Sequence, residues 1–418
     1  MPFVSDVRTV FRVVLLLIGW GSSLAARQIP PPISDGSDIS VSLVTFGPGA
    51  RSWERFGHNA IWIRDPSRGI DALYNYGMFN FTEKGFLTRF IRGRMQYLVL
   101  PQSPRTLNQY VAEHRSIWVQ ELNLTPAQRM ALRDFLQWNV RPENRRYRYH
   151  YYRDNCSTRI RDALDLVLDG QIAEQTTGRA ARTYRFHTQR LTATNLPLYL
   201  GLLVGLANPV DRPASAWDEM FLPLALRERL ADITVTDPAG GTVPLVAAER
   251  TLYEDHRWDG AAAPPAWTGW FLLVGVLVAA GVWALGRRLP SSVVARWGFG
   301  VFGAVWAALM GAGGGVLAFL WLFTDHDTSY WNENLFFLTP LALPLLVGLP
   351  LMAVRAGRVG RWTRRCLLAV AASGVVGFVI QVLPGFDQVN GQVIALVLPV
   401  HLALAWLVRR PVSPEATS

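Results

Sequence analysis

Cys156 and His58 are the two side chains whose types and surroundings fit nucleophilic chemistry. Cys156 is one of only two cysteines in 418 residues and lies in "YHYYRDNCSTRIRDAL". After it, Ile160, Ala163, Leu164 and Val167 recur at helical spacing, and Gly170 is placed as a stop. Asn155 or Asp154 is then the N-cap, which puts Cys156 in the first turn. There the helix dipole and free backbone N–H groups favour a thiolate. Arg153 and Arg159 add positive charge, so a lowered thiol pKa is expected. A thiol nucleophile needs a base within hydrogen-bond reach. "WERFGHNAIWI" offers His58 at the start of a strand-like run. A buried structural cysteine would have apolar neighbours, and Cys156 has polar and charged ones.

The compartment sharpens this reading. Arg8 and Arg12 precede an apolar run from Val13 to Trp20, and Ser23-Leu24-Ala25-Ala26 fits a cleavage site. Residues 1–26 therefore read as a secretory signal peptide. Five apolar segments follow Trp267, at 268–286, 299–323, 335–354, 366–384 and 392–408, each near bilayer length. The loops between them alternate. Arg287, Arg288 and Arg296 follow the first, Arg355 to Arg365 the third, and Arg409 and Arg410 the fifth, while "TDHDTSYWNEN" and "PGFDQVNGQ" carry no Lys or Arg. Basic loops stay cytoplasmic, so residues 27–260 face the periplasm and 267–410 form a multi-pass domain of the bacterial inner membrane with a cytoplasmic C-terminus. "DGAAAPPAWTG" is the linker. The formal charge of +10, nearly all arginine, then belongs to a membrane protein rather than to a nucleic-acid binder. Cys156 is outside and Cys366 is beside cytoplasmic arginines, so the two cannot pair. Cys156 is a lone thiol in an oxidising compartment.

The exported domain opens with strand signals: "DISVSLVTFGPG", "HNAIWIRD", "ALYNYG", "MQYLVLP" and "WVQELNL". Thr125-Pro126 then starts a helix reaching Val140. Five scattered histidines in this domain give no zinc spacing, and no cofactor motif is present. A strand-end histidine beside a helix-start cysteine is a papain-like layout. Histidine before cysteine is the order of its circularly permuted branch, so the expected fold is α+β papain-like, followed by an all-α membrane domain.

With these residues in hand, the chain resembles the Lnb-type lipoprotein N-acyltransferase family. The motifs that carry the likeness are "SWERFGHNAIWI", "YNYGMFNF", "RPENRRYRYHYYRDNCSTRIRDAL", "DRPASAWDEMFLP" and "FTDHDTSYWNENLFFLTPL". The resemblance implies Cys156 as nucleophile and His58 as its partner. It leaves the third member open among Glu54, Asp154 and Asn155. It also implies a phospholipid acyl donor, a Cys156 thioester and a lipoprotein N-terminal amine as acceptor. Arg145, Arg146, Arg148 and Arg153 are candidates for lipid phosphate contacts, or else a solvated basic face. Asp325, His326, Asn332, Glu333 and Asn334 are candidates to orient a headgroup or complete the site. "LPLYLGLLVGLA" is too short to span a bilayer and reads as buried core, with a segment dipping into the membrane interface near an acyl chain as the alternative. Two other readings use the same residues differently: a membrane-tethered cysteine hydrolase of peptide or amide bonds, and a non-catalytic envelope assembly factor in which Cys156 is incidental.

Overall fold

The computed structural model describes residues 35–237 and 240–409. The expected signal peptide lies outside them. An α+β domain comes first and a domain of apolar helices follows.

The strand signals fold into one antiparallel sheet. Its strands are β1 (Ser40–Phe46), β2 (His58–Asp65), β3 (Ile70–Met78), β4 (Gln96–Gln102), β5 (Ile117–Leu122), β6 (Arg146–Arg148) and β7 (Val246–Tyr253). The order across the sheet is β7-β5-β1-β2-β3-β4-β6. β1 and β2 form a hairpin with Phe46 opposite His58, which places the histidine at the sheet's rim.

Both faces of this sheet are covered, so alternation along a strand sends residues into two cores. Val41, Leu43, Ile61, Ile63, Tyr74 and Tyr76 pack beneath two helices. These are α3 (Pro126–Asn139) and α4 (Cys156–Val167). Val44, Phe46, Ala60, Trp62 and Leu73 pack on the other face, against Tyr110 of α2 (Leu107–Ala112). A short helix, α1 (Phe86–Ile91), joins β3 to β4. The reciprocal Thr125–Gln128 capping box starts α3, as the Thr-Pro signal predicts.

"LPLYLGLLVG" forms α5 (Leu196–Gly205). It is not the buried core the sequence suggests. Tyr199 and Leu203 are buried among residues of the helical domain, whereas Leu196 and Leu200 are exposed. Its last carbonyls have no partners within the helix. Asn334 donates to Leu203 O and Val204 O, Asn332 to Val204 O and Gly205 O, and Gln388 to Leu206 O. Asn332 and Asn334 thus cap a helix end and clamp the two domains together. Glu333, also buried, accepts from the backbone N–H of Gln388.

The helical domain contains α6 (Thr268–Arg287), α7 (Val293–Phe323), α8 (Leu345–Val354), α9 (Arg361–Val379) and α10 (Gly391–Leu407). Among the described residues, three helical stretches, Thr268–Arg287, Val293–Phe323 and Arg361–Val382, are long and apolar enough to cross a membrane. The third expected segment is broken: Glu333–Ala342 and Leu345–Val354 meet at 57°. Pro340 and Pro344 deny the backbone N–H groups a continuous helix would need there. The fifth is a 17-residue helix containing Pro399. The bundle turns small residues inward. A Cβ on Gly303 would stand 2.6 Å from Leu349 Cβ, and one on Gly275 would stand 2.5 Å from Ala395 O. Close helix approach of this kind is how bundles pack in lipid, where no hydrophobic force draws helices together.

Candidate active site

The site is built where the start of α4 meets the rim of β2. Asn155 caps α4: its Oδ1 accepts from Ser157 N (2.9 Å) and Thr158 N (3.0 Å). Its Nδ2 donates to Tyr151 O and Phe221 O, so the cap is itself held from two sides. Cys156 is the first residue of the helix and is half-buried. Ser157, fully buried, donates to Asn59 Oδ1 (2.7 Å), and Asn59 donates to Thr45 Oγ1 (2.8 Å). This chain of hydrogen bonds locks the helix start onto β2 beside His58.

The backbone N–H of Asn59 lies on the sulfur's side and favours its charged form. That peptide is His58's own link to the next residue, so thiol and imidazole share one corner of the fold. Their side chains reach it from different sides. Asn59 turns toward α4, whereas His58 turns with Ala60 and Trp62 toward the other core. There its ring stacks on Phe46 at 5.8 Å. No hydrogen bond joins Sγ to the imidazole; in free enzymes such bonds often form only when substrate arrives.

His58 has a partner that the sequence reading did not name. Its Nε2 is 3.0 Å from Asn75 Oδ1. Asn75, buried on β3, donates through Nδ2 to Gln102 Oε1 (2.7 Å), so its Oδ1 is left to accept. Nε2 therefore carries the proton and Nδ1 is the basic nitrogen. The three proposed third members do other work. Asn155 is the helix cap. Asp154 pairs with Arg159 (2.7 Å). Glu54 accepts from Arg51 N and Arg51 Nη1. A signal for Asn75 does exist in the sequence: it sits in "ALYNYG", a polar residue inside an otherwise apolar strand.

The electrostatics differ from expectation. Burial pushes the Cys156 thiol up, against smaller lowering from the Asn59 and Ser157 N–H groups. The arginines expected to lower it are engaged elsewhere, Arg159 with Asp154 and Arg153 with Asp327. His58 is lowered to about 4, first by burial, then by the charge of buried Arg115. Both groups are thus neutral near pH 7: an un-ionised thiol and a free-base imidazole.

Tyr147 completes the corner. It is buried, and its hydroxyl has no hydrogen-bond partner among the described residues. It faces the space beside Gly77, whose φ is +86°. A Cβ added there would lie 3.5 Å from Cys156 Cβ and 3.9 Å from Tyr147 Oη. Glycine is needed for that left-handed turn, and it leaves the space between thiol and phenol open.

Residues 32–190 match the family model described as the Lnb N-terminal periplasmic domain, and residues 265–411 match the one described as the Lnb transmembrane domain. The chain belongs to the Lnb family. No curated protein and no solved structure matches it. This Lnb protein is therefore a membrane protein with a periplasmic N-terminal domain.

The arginines proposed for lipid phosphate are largely committed within the chain. Arg146 pairs with Glu83 (3.0 Å) and Arg148 with Asp325 (3.1 Å). Arg153 pairs with Asp327 and bonds His150 Nε2 (3.1 Å). Arg145 is half-buried with its Nε unpartnered. The Arg/Tyr run before Cys156 is a docking strip for the loop that follows α7. Asp325 also holds Arg94 (2.9 Å), and His326 bonds Phe90 O (2.9 Å). Gly93, at φ +70°, permits this: a Cβ there would stand 2.7 Å from the Asp325 backbone. Asp325 and His326 thus fasten the periplasmic domain to the helices.

Proposed function

We propose that this Lnb-family protein moves an acyl chain from a phospholipid to the N-terminal amine of a lipoprotein, through a thioester on Cys156. The observation that carries this reading is a helix-start Cys156 tied through Ser157 and Asn59 to the strand that begins with His58, whose ring is held by Asn75, in a domain clamped to apolar helices. A helix-start cysteine, a strand histidine and an asparagine on the neighbouring strand form the set of roles found in papain-like enzymes. In this reading the periplasmic domain is a permuted member of that class. The alternating arginine loops support an inner-membrane protein with a cytoplasmic C-terminus.

His58 Nδ1 takes the thiol proton as sulfur attacks the ester carbonyl of the lipid. The tetrahedral intermediate then expels the lysophospholipid alkoxide, which receives that proton. The acyl group is left on sulfur. The amine of the lipoprotein attacks the thioester, His58 takes the amine proton, and the departing thiolate recovers it. The products are an amide and the free thiol. A thioester suits both halves, because sulfur is a good nucleophile and a good leaving group. The Tyr147 hydroxyl, unpartnered among the described residues and bordering the space beside Gly77 that Cys156 borders, is assigned as donor to the developing oxyanion. Such donors typically contribute about 10²–10³ in rate.

Labelling cells with an alkyne fatty acid tests the reading. A hydroxylamine-sensitive adduct is expected on the wild type and absent in Cys156→Ala. If Cys156→Ala retains full function, the thioester route is refuted. Peptide cleavage by purified protein without any adduct would assign a hydrolase instead.

A further inference from the structure

At the junction of the two domains, a groove of about 440 Å³ is lined by Thr88, Ile91, Arg92, Arg94, Phe319 and Phe323. One wall is α1 with the turn after it. The other is the last two turns of α7, a helix long and apolar enough to cross a membrane. Phe319, Phe323 and Ile91 are exposed. Arg94 is paired with Asp325, but the exposed Arg92 side chain has neither ion pair nor hydrogen bond among the described residues. An unpaired guanidinium above an apolar trough, at the end of a membrane helix, is charge-complementary to a phosphate attached to hydrocarbon.

The groove also has a continuation. Ring contacts run from Phe90 to Phe86 (6.3 Å), Phe81 (5.3 Å) and Phe79 (4.8 Å). They continue from Phe79 to Tyr97 (4.8 Å) and Tyr149 (4.2 Å). Tyr149 borders the same space beside Gly77 that Cys156 borders. Phe81, Phe90 and Leu87 are exposed along this track, although they belong to the periplasmic domain. The exposed members, grouped at the outer end, mark an interaction surface, while Phe86 and Tyr97 are buried in the core of the domain.

We propose that this groove binds a glycerophospholipid from the surrounding bilayer. Its phosphate lies on Arg92, one acyl chain lies along Ile91, Phe319 and Phe323, and the exposed Leu87, Phe90 and Phe81 extend that apolar surface over the periplasmic domain. A free phosphate would have no use for the apolar walls. The binding stands on the groove alone; the lipid's fate at Cys156 rests on the function proposed above.

The test uses the full-length protein in nanodiscs of phosphatidylethanolamine and phosphatidylglycerol, doped with a phosphatidylethanolamine carrying a photoactivatable acyl chain. Adducts mapped by mass spectrometry are expected to concentrate on Ile91, Phe319, Phe323 and Phe81. Arg92→Glu lowers that labelling by about fivefold or more, the scale of one basic side chain at a membrane surface. Arg92→Lys restores most of it, which excludes misfolding as the cause. Arg68→Glu, on the turn after β2 where Arg68 pairs with Asp134, leaves it unchanged. Adducts spread evenly over the exposed faces of α6 and α7, or labelling indifferent to Arg92→Glu, overturns the proposal. Loss of labelling in millimolar inorganic phosphate also overturns it, because the site would then read phosphate alone. Labelled groove with no Cys156 thioester would leave the groove standing and sink the acyl-transfer reading. A thioester with an unlabelled groove would do the reverse.

Discussion

Cys156 and His58 are arranged as a neutral pair rather than as a pre-formed thiolate and imidazolium. The thiol is raised by burial and the imidazole is lowered to about 4 by burial and Arg115. In the proposed reaction, proton transfer must then accompany attack on the carbonyl, and the sign of the pH dependence follows. His58 acts as base only while unprotonated, so thioester formation should hold as pH falls below neutrality and drop through about 4. A stopped-flow pH profile with a chromogenic ester checks this; a drop centred near the ordinary histidine value would refute it. Removing Asn75 frees the Nε2 proton from the acceptor that holds it. Asn75→Ala should slow thioester formation by ~10²-fold, within the range for a general base, with the thiol still titratable by a disulfide reagent. Tyr147 is separated from Cys156 by choice of reaction. Tyr147→Phe should slow acylation by ~10²-fold, at the low end for one oxyanion donor. Alkylation of Cys156 by iodoacetamide, which develops no oxyanion, should be unchanged. Equal losses in both would show that the phenol merely positions the sulfur.

Among the elements, α4 and its cap decide whether the site exists. Asn155 satisfies two helix N–H groups through Oδ1 and ties down two carbonyls through Nδ2, all in a buried setting. An exposed cap is worth ~1 kcal/mol, and leaving buried partners unpaired costs ~1–3 kcal/mol more. Asn155→Ala should therefore destabilise the domain by roughly 2–4 kcal/mol, the sum of those effects. Denaturant unfolding in detergent measures it, and a loss under about 0.5 kcal/mol, the size of an ordinary surface substitution, would contradict the assigned role. The sequence located this element well: cap, first turn, apolar face and stop were all legible, because helix signals are local. The base's partner was harder to find. Asn75 meets His58 only because β3 pairs with β2, and strand pairing is non-local.

For the molecule as a whole, two kinds of contact hold the domains together, and they differ in strength. The ties of Asp325 and Asp327 to Arg94, Arg148 and Arg153 are solvent-exposed. Exposed pairs contribute ~0–1 kcal/mol each. The side chains of Asn332, Asn334 and Gln388 on the carbonyls of α5 are buried, so losing one leaves acceptors unpaired at ~1–3 kcal/mol. The double change Asp325→Ala/Asp327→Ala should leave the Tm nearly unchanged. It should raise hydrogen exchange at residues 90–94 and 148–153 and reduce acylation from membrane lipid. Unaltered exchange there would show that the loop is not what seats the catalytic face. Asn334→Ala should lower the Tm instead.

By itself, the sequence determined the two-domain plan, the apolar segments, the strand-rich start of the periplasmic domain, and the cysteine at a helix start. These follow from composition and short-range periodicity. Only the tertiary structure decided the rest. It raised the thiol instead of lowering it, because burial depends on what packs around a side chain and its neighbouring arginines had closer partners. It put Asn75 rather than Glu54, Asp154 or Asn155 on His58. It turned the Arg/Tyr run into a docking strip and broke the third apolar segment. Each of these depends on which distant residue occupies the next few ångströms, and spacing along the chain does not carry that information.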